Sequence, residues 1–252
     1  MSKVVFITGA TSGFGNACAE KFAMHGYDVI ITGRREDRLE QLQKELQQHY
    51  NIAALPLAFD VQDKDAVFEA MEHLDDGWRK IDVLINNAGL AAGRDFFDEA
   101  SLDDWEAMIN TNVKGLLYVS KAVMPFMVNN KKGHIINIGS TAAKEVYEKG
   151  NVYCASKHAV DAITQSMRID LLRHGIKVTA IHPGAAETEF SMVRFKGDAE
   201  TAASVYAGYK PLSAQDVADV AYFVTTLPEH VCINDLVMTS AGQANSFYFH
   251  KT

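Results

Sequence analysis

The chain has little of what would place it in the specialised protein classes. Its three cysteines, Cys18, Cys154 and Cys232, are odd in number and far apart, so they offer no disulfide framework and no paired metal ligands. They read as reduced thiols, which goes with a cytoplasmic protein; Cys154, lacking a nearby acid or histidine, reads as a packing residue. The nine histidines contain no H-E-x-x-H and no other ligand spacing, so no metal is expected. No apolar run approaches the ~18 residues of a membrane-spanning helix. Basic charge is scarce: 24 Lys and Arg against 32 Asp and Glu leave a net charge of -8. That balance argues against nucleic acid and anionic lipid as partners. Pro/Ser-rich linkers, low-complexity tracts and internal repeats are missing as well. Residues 1–9 hold a single basic residue, Lys3, before a short apolar run that enters a glycine loop. They read as a first strand, without the long apolar region of a signal peptide.

What is present is a regular alternation. The composition, 48% hydrophobic and 22% charged, suits a globular protein with a large core. Short β-branched runs at 4–8, 29–32, 53–59, 83–86, 134–138, 178–182 and 231–238 are candidate strands. They are mostly apolar throughout, as parallel strands covered on both faces are. Helical patterns lie between them at 15–25, 36–49, 64–74, 102–128, 151–174 and 214–226, with Ser101 and Ser213 at N-cap positions. The alternation predicts an α/β doubly wound fold with a seven-stranded parallel sheet, in one domain over 1–252. The stretch 184–211 breaks the rhythm. Emerging after a strand end, where ligands bind in open α/β sheets, it is a candidate substrate lid.

Three features carry chemistry. Tyr153 and Lys157 stand four apart on a predicted helix, so the phenol and the ammonium share one face. A tyrosine of pKa roughly 10 is a poor base at neutral pH unless a cation favours the phenolate. Ser140, thirteen residues before Tyr153, could hold a substrate oxygen while the phenol exchanges a proton. The pair by itself also fits an ordinary surface helix. Second, Gly9, Thr11, Ser12, Gly13, Phe14 and Gly15 form a glycine-rich turn between the first strand and a helix. It reads as a pyrophosphate cradle, with a plain tight turn as the alternative. Third, the second strand ends in Arg34 and Arg35 where NAD would call for an acid. Paired guanidiniums suit a 2′-phosphate, so NADP(H) is expected over NAD. At other strand ends Asp60 and Val61 could meet the adenine. Asn87, Ala88 and Gly89 follow the fourth strand, and Pro183 and Gly184 follow the sixth, with Thr188 in reach of an amide.

Taken in order, Thr8-Gly9-x-x-x-Gly13-x-Gly15, Asn86-Asn87-Ala88-Gly89, Asn112, Ser140, Tyr153-x-x-x-Lys157 and Pro183-Gly184 resemble the short-chain dehydrogenase/reductase family. The resemblance spans essentially the whole chain. It implies a Rossmann fold, homotetramers or homodimers, and a catalytic set of Asn112, Ser140, Tyr153 and Lys157. Tyr153 would be the acid/base and Ser140 would hold the substrate oxygen. Lys157 would lower the phenol pKa and bind the nicotinamide ribose, and Asn112 would hold the water that links the lysine to solvent. Residues 187–198, 134–141 and 226–230 resemble a narrower group, the bacterial NADP-dependent 3-hydroxy acid (serine or allo-threonine) dehydrogenases. Relatives of that group reduce malonic semialdehyde or sulfoacetaldehyde.

The chain departs from that group where it reads Lys144-Glu145-Val146-Tyr147-Glu148 in place of a Trp-Pro-Tyr-like stretch. The expected activity is hydride transfer between NADP(H) and a small 3-hydroxy acid or its carbonyl form; another small carbonyl (sulfoacetaldehyde, a sugar, a ketone or a 3-oxoacyl group) is the alternative. A nucleotide-sensing regulator and an epimerase or dehydratase fit less well. The substrate is a small molecule, expected to be anionic. Arg194, with Tyr147, is the candidate carboxylate clamp. Lys196 is the second cation of that stretch, and Asp198 and Glu200 are possible ion-pair partners for both. The aromatic run 247–250 could dock on a neighbouring subunit or fold back on its own core.

Overall fold

Four consecutive apolar residues with both faces covered make Val4–Ile7 (β1) a central strand, and all four are buried. The computed structural model describes residues 2–252. The remaining strands are Asp28–Gly33 (β2), Ala54–Ala58 (β3), Ile81–Asn86 (β4), Gly133–Ile138 (β5), Ile176–Pro183 (β6) and Asp235–Met238 (β7). They form one seven-stranded sheet in the order β3-β2-β1-β4-β5-β6-β7. Every ladder is parallel: Val5 pairs with Val29 on one side and with Val83 on the other. The order reverses between β1 and β4, and at such a switch point the flanking loops diverge and leave a crevice. This is the doubly wound Rossmann arrangement, in a single domain.

Helices cover both faces. Gly13–Met24 (α1), Glu36–Tyr50 (α2) and Ala214–Thr226 (α9) close one core with Phe22, Leu39, Leu42 and Val217. Lys64–Glu72 (α3), Leu116–Asn130 (α5) and Asn151–Leu171 (α6) close the other with Val67, Val123, Val160 and Met167. The side-chain alternation of a strand serves both cores at once: Val5 and Ile7 point into the first, Val4 and Phe6 into the second.

Two local features depart from the sequence pattern. The apolar stretch 102–128 is not one helix. Leu102–Ile109 (α4) and α5 are separated by a wide π-type turn, Asn110–Gly115, that contains Asn112. Such turns keep the hydrophobic face intact, so periodicity does not announce them. The stretch 184–211 is built of two short helices, Glu189–Arg194 (α7) and Ala199–Ser204 (α8). Ser213 caps α9 in a reciprocal capping box with Asp216, whereas Ser101 occupies the N-cap of α4 without a side-chain cap bond.

Candidate active site

The carboxyl ends of the strands open into a cleft of about 1310 Å³. Its wall includes Gly9, Thr11, Ser12, Gly13, Phe14, Arg34, Arg35, Asp60, Val61, Asn87, Ala88, Gly89, Ser140, Tyr147, Tyr153, Lys157, Pro183, Gly184, Thr188 and Arg194. Two expected site residues, Gly15 and Asn112, lie just behind that wall. Gly15 is in the first turn of α1, where an added Cβ would stand 2.2 Å from the Gly9 carbonyl oxygen. Asn112 donates to the Leu90 carbonyl and accepts from the Leu90 N–H, both at 2.8 Å, and donates to Ser156 Oγ at 3.0 Å. It therefore ties the loop after β4 to α6.

One side of the cleft is a cradle of backbone and guanidinium groups. Asn87 Nδ2 donates to the Thr8 carbonyl at 2.9 Å, and Thr8 Oγ1 accepts from the Asn87 and Ala88 N–H groups, so the glycine turn is fastened to the end of β4. Ser12 is the N-cap of α1 and makes no cap bond, which leaves its hydroxyl beside the free N–H groups of that helix end. Arg35 is held by Thr11 Oγ1 at 2.8 Å, and Arg34 lies 3.6 Å from Asp60. Arg38, which sequence reasoning missed, extends the cluster. Both Arg35 and Arg38 pair with Glu189 on α7, at 3.2 and 2.9 Å. That partnership joins residues far apart in the chain, and no local pattern announces it.

The other side holds the acid/base group. Tyr153 and Lys157 share the buried face of α6, as the i, i+4 spacing predicts, at 8% and 6% exposure. Burial pushes the Tyr153 phenol above its ordinary pKa; the Tyr147 hydroxyl adds to this, while a hydrogen bond with Ser140 and the charge of Arg194 oppose it. Lys157 donates to the Ile138 carbonyl at 3.0 Å, and burial pushes its ammonium down to about 8. Arg194 is a cation that lowers the phenol pKa here, its guanidinium carbon 5.4 Å from the Tyr153 ring centre. Arg194 also donates to Tyr147 Oη at 3.3 Å, and its Nε is buried with no hydrogen-bond partner. Lys196 pairs instead with Asp104 of α4 at 2.9 Å.

Residues 3–199 match the family model described as short chain dehydrogenase. This chain belongs to that family. It is 46% identical over 242 residues to an NADP-dependent 3-hydroxy acid dehydrogenase of Salmonella typhi, covering 96% of each. It is 43% identical over 249 residues to sulfoacetaldehyde reductase 2 of Chromohalobacter salexigens, covering 98% of each. A solved closed form of serine dehydrogenase in complex with NADP+ superposes with a TM-score of 0.91 at 44% identity, over 99% of this chain and all of that one.

The wall of this short chain dehydrogenase also includes segments that sequence reasoning left open. Residues 242–250 fold back on their own chain as a hairpin, with His250 N donating to the Gly242 carbonyl and Ala244 N to the Tyr248 carbonyl. Glu145, a residue that departs from the group's usual stretch, accepts from Ser246 N at 2.9 Å and fixes the hairpin beside Tyr147. Phe190 of α7 stands 5.9 Å from Tyr153, ring to ring. Cys154 is packed among Ala91, Met108 and Ala142. Among the described residues, no helix is long and apolar enough to cross a membrane.

Proposed function

We propose that the chain is an NADP-dependent oxidoreductase that interconverts a small 3-hydroxy acid and its carbonyl form. The observation that carries this reading is Arg194: a guanidinium with a buried, unpartnered Nε beside the Tyr153 ring. It sits where a small anionic substrate would place its carboxylate if its hydroxyl met the phenol. The residues fit the cofactor. The helix end with the unspent Ser12 hydroxyl suits a pyrophosphate, and Arg34, Arg35 and Arg38 suit a 2′-phosphate better than a bare ribose. Asp60 and Val61 would meet the adenine. Asn87, Ala88, Gly89, Pro183, Gly184 and Thr188 would line the nicotinamide half.

When bound, the dinucleotide accepts or supplies the hydride. Tyr153 takes the substrate hydroxyl proton in the oxidising direction and returns it in the reducing one. Ser140 holds the substrate oxygen against the phenol. Lys157 would hold the nicotinamide ribose, and with its pKa near 8 it could release a proton toward a water on an Asn112 oxygen, the amide hydrogens of Asn112 being already given to Leu90 and Ser156. Residues 184–211 act as the lid, its first half pinned by Glu189 to Arg35 and Arg38 and by Lys196 to Asp104. Tyr147 and Arg194 hold the carboxylate. A sulfonate satisfies the same guanidinium, so reduction of sulfoacetaldehyde is the second reading. We also read the chain as cytoplasmic, from its three free cysteines, and as a homotetramer or homodimer, because Leu102, Leu117, Ile169 and Leu172, on α4, α5, α6 and just past its end, are exposed apolar residues.

The test is a panel of NADPH oxidation assays with malonic semialdehyde, sulfoacetaldehyde and neutral ketones, with serine oxidation in reverse, on the native chain and on Tyr153→Phe. A positioned acid/base group contributes about 10²- to 10⁴-fold, so Tyr153→Phe should lose at least a hundredfold in kcat. Near-normal turnover by Tyr153→Phe, or preference for neutral ketones, would overturn the reading.

A further inference from the structure

Behind Ser140, on the side away from the cleft, lies a cluster of charges that the reaction as described does not use. His182 of β6 is fully buried. Strand alternation sends its neighbour Ile181 into the α9 core with Val217 and Ala221, and turns His182 toward α6. The imidazole lies flat on the strand end that carries Ser140. A Cβ built on Gly139 would stand 2.3 Å from His182 Nδ1, so only glycine lets the ring approach. From there Nδ1 is 3.3 Å from the Ser140 N–H and 3.2 Å from the Ser140 carbonyl oxygen. On its far side, Nε2 is 2.9 Å from Asp235 Oδ1 of β7 and 3.6 Å from Asp161 Oδ1 of α6. Lys144, from the turn after Ser140, bridges the second oxygens of the same two carboxylates, 2.8 Å from Asp235 and 3.1 Å from Asp161. Arg168, also of α6, adds its charge on Asp235.

The protonation state of the ring decides what it offers Ser140. The charges of two carboxylates beside Nε2 favour the neutral tautomer with its proton there, although neither carboxylate lies at a hydrogen-bonding angle to that nitrogen, and Nδ1 is then an acceptor for the Ser140 N–H. A second proton must go on Nδ1. The Ser140 N–H then faces another donor and loses its acceptor, while the carbonyl, already taken by Ala143 N at 2.9 Å, gains a competing one. Ser140 Oγ is itself fixed through the same turn, by accepting from Ala142 N at 3.1 Å.

We propose that His182 is a positioning residue for Ser140, holding the hydroxyl in register with Tyr153 while neutral and releasing it when protonated, with Lys144, Asp161 and Asp235 setting the pH at which this happens. The proposal rests on the reading of Ser140 as the group that holds the substrate oxygen. It also gives Lys144 a purpose. Burial and the Lys144 charge hold the imidazole below its ordinary pKa, while Asp235 and Asp161 pull it up, so the native chain keeps Ser140 in place through neutral and mildly acid pH.

The experiment is the pH profile of kcat from about pH 5 to 8 for the native chain and five variants, with NADPH affinity followed by fluorescence to report an intact cofactor fold. His182→Ala should lose up to about 100-fold in kcat, the scale of a misplaced catalytic group, with little change in NADPH affinity. His182→Asn places an amide oxygen near Nδ1; it should recover most of that loss and flatten the acid limb. Lys144→Met should move the acid limb up by roughly one unit, and Asp235→Asn should move it down. A purely structural network would not shift the limb in opposite directions for the two charges. Ser140→Ala separates the two readings: full activity in that variant would sink the assignment of Ser140 itself. Loss of activity in Ser140→Ala with unshifted profiles in the Lys144, Asp235 and His182→Asn variants would overturn the role of His182 alone.

Discussion

Arg194 turns its guanidinium toward two tyrosines, whereas its neighbour on the same stretch, Lys196, gives its charge to Asp104. The sequence already favoured Arg194 over Lys196 for its carboxylate-matching fork, and the packing of α7 over the cleft supplies the partners that separate them. A charge-assisted hydrogen bond contributes about 1.5–3 kcal/mol, so Arg194→Ala should raise KM for acidic substrates about 10- to 100-fold. For neutral ketones the change should be small; steady-state kinetics on matched acidic and neutral substrates would show an equal loss on both if Arg194 were merely structural. Tyr147 was legible as its companion because it survives in an otherwise altered stretch. Arg38 was not legible, since its importance comes from Glu189, which reaches it across the fold.

Among the elements, the glycine turn and the start of α1 are the most constrained. A Cβ at Gly15 would meet the Gly9 carbonyl oxygen at 2.2 Å, a backbone contact that cannot yield, and the Asn87 side-chain Nδ2 at 2.6 Å. Gly15→Ala must therefore push α1 off the turn and loosen the Asn87 bonds that join it to β4. Overpacking of this kind costs about 1–3 kcal/mol. We expect a fall in Tm of roughly 2–10 °C and a rise in the Kd for NADPH of at least about tenfold, read by thermal melting and fluorescence titration. An unchanged Kd would mean that the turn tolerates displacement. This element was legible because its chemistry is local. The break between α4 and α5 was not, because a π-type turn inserts its extra width without disturbing the apolar stripe. The two helices of the lid were also missed, being too short to show a period.

For the molecule as a whole, the seven strands and their parallel pairing could be read from the alternation of apolar runs with helical patterns, because strands covered on both faces are mostly apolar. Buried polar groups inside that sheet were invisible. His134 of β5 is one: its Nε2 lies 2.7 Å from Thr179 Oγ1, and burial, with Lys177 adding to it, pushes its pKa down to about 3 from the model-compound value of 6.5. The unfolded chain protonates this histidine near pH 6.5 and the native chain does not until about 3, so the unfolded state binds more protons between those values. The contribution is fully present above 6.5 and drains away as the pH falls through that window. Melting curves of the native chain should lose stability steadily across it, and His134→Gln should lose less; parallel curves would assign the acid sensitivity to other groups.

The reversal of strand order between β1 and β4 has one more consequence, for the order in which the molecule comes together. Val5 must find Val83 before the cradle of β1 and β2 stands opposite the acid/base face of β5 and α6. Pairings between parallel strands so distant in the chain close late, because the loop entropy is spent before any contact repays it. The cleft is therefore among the last features to form and the first to open. A dinucleotide spanning it can grip only the finished seam, so it slows unfolding while leaving the rate of folding as it was.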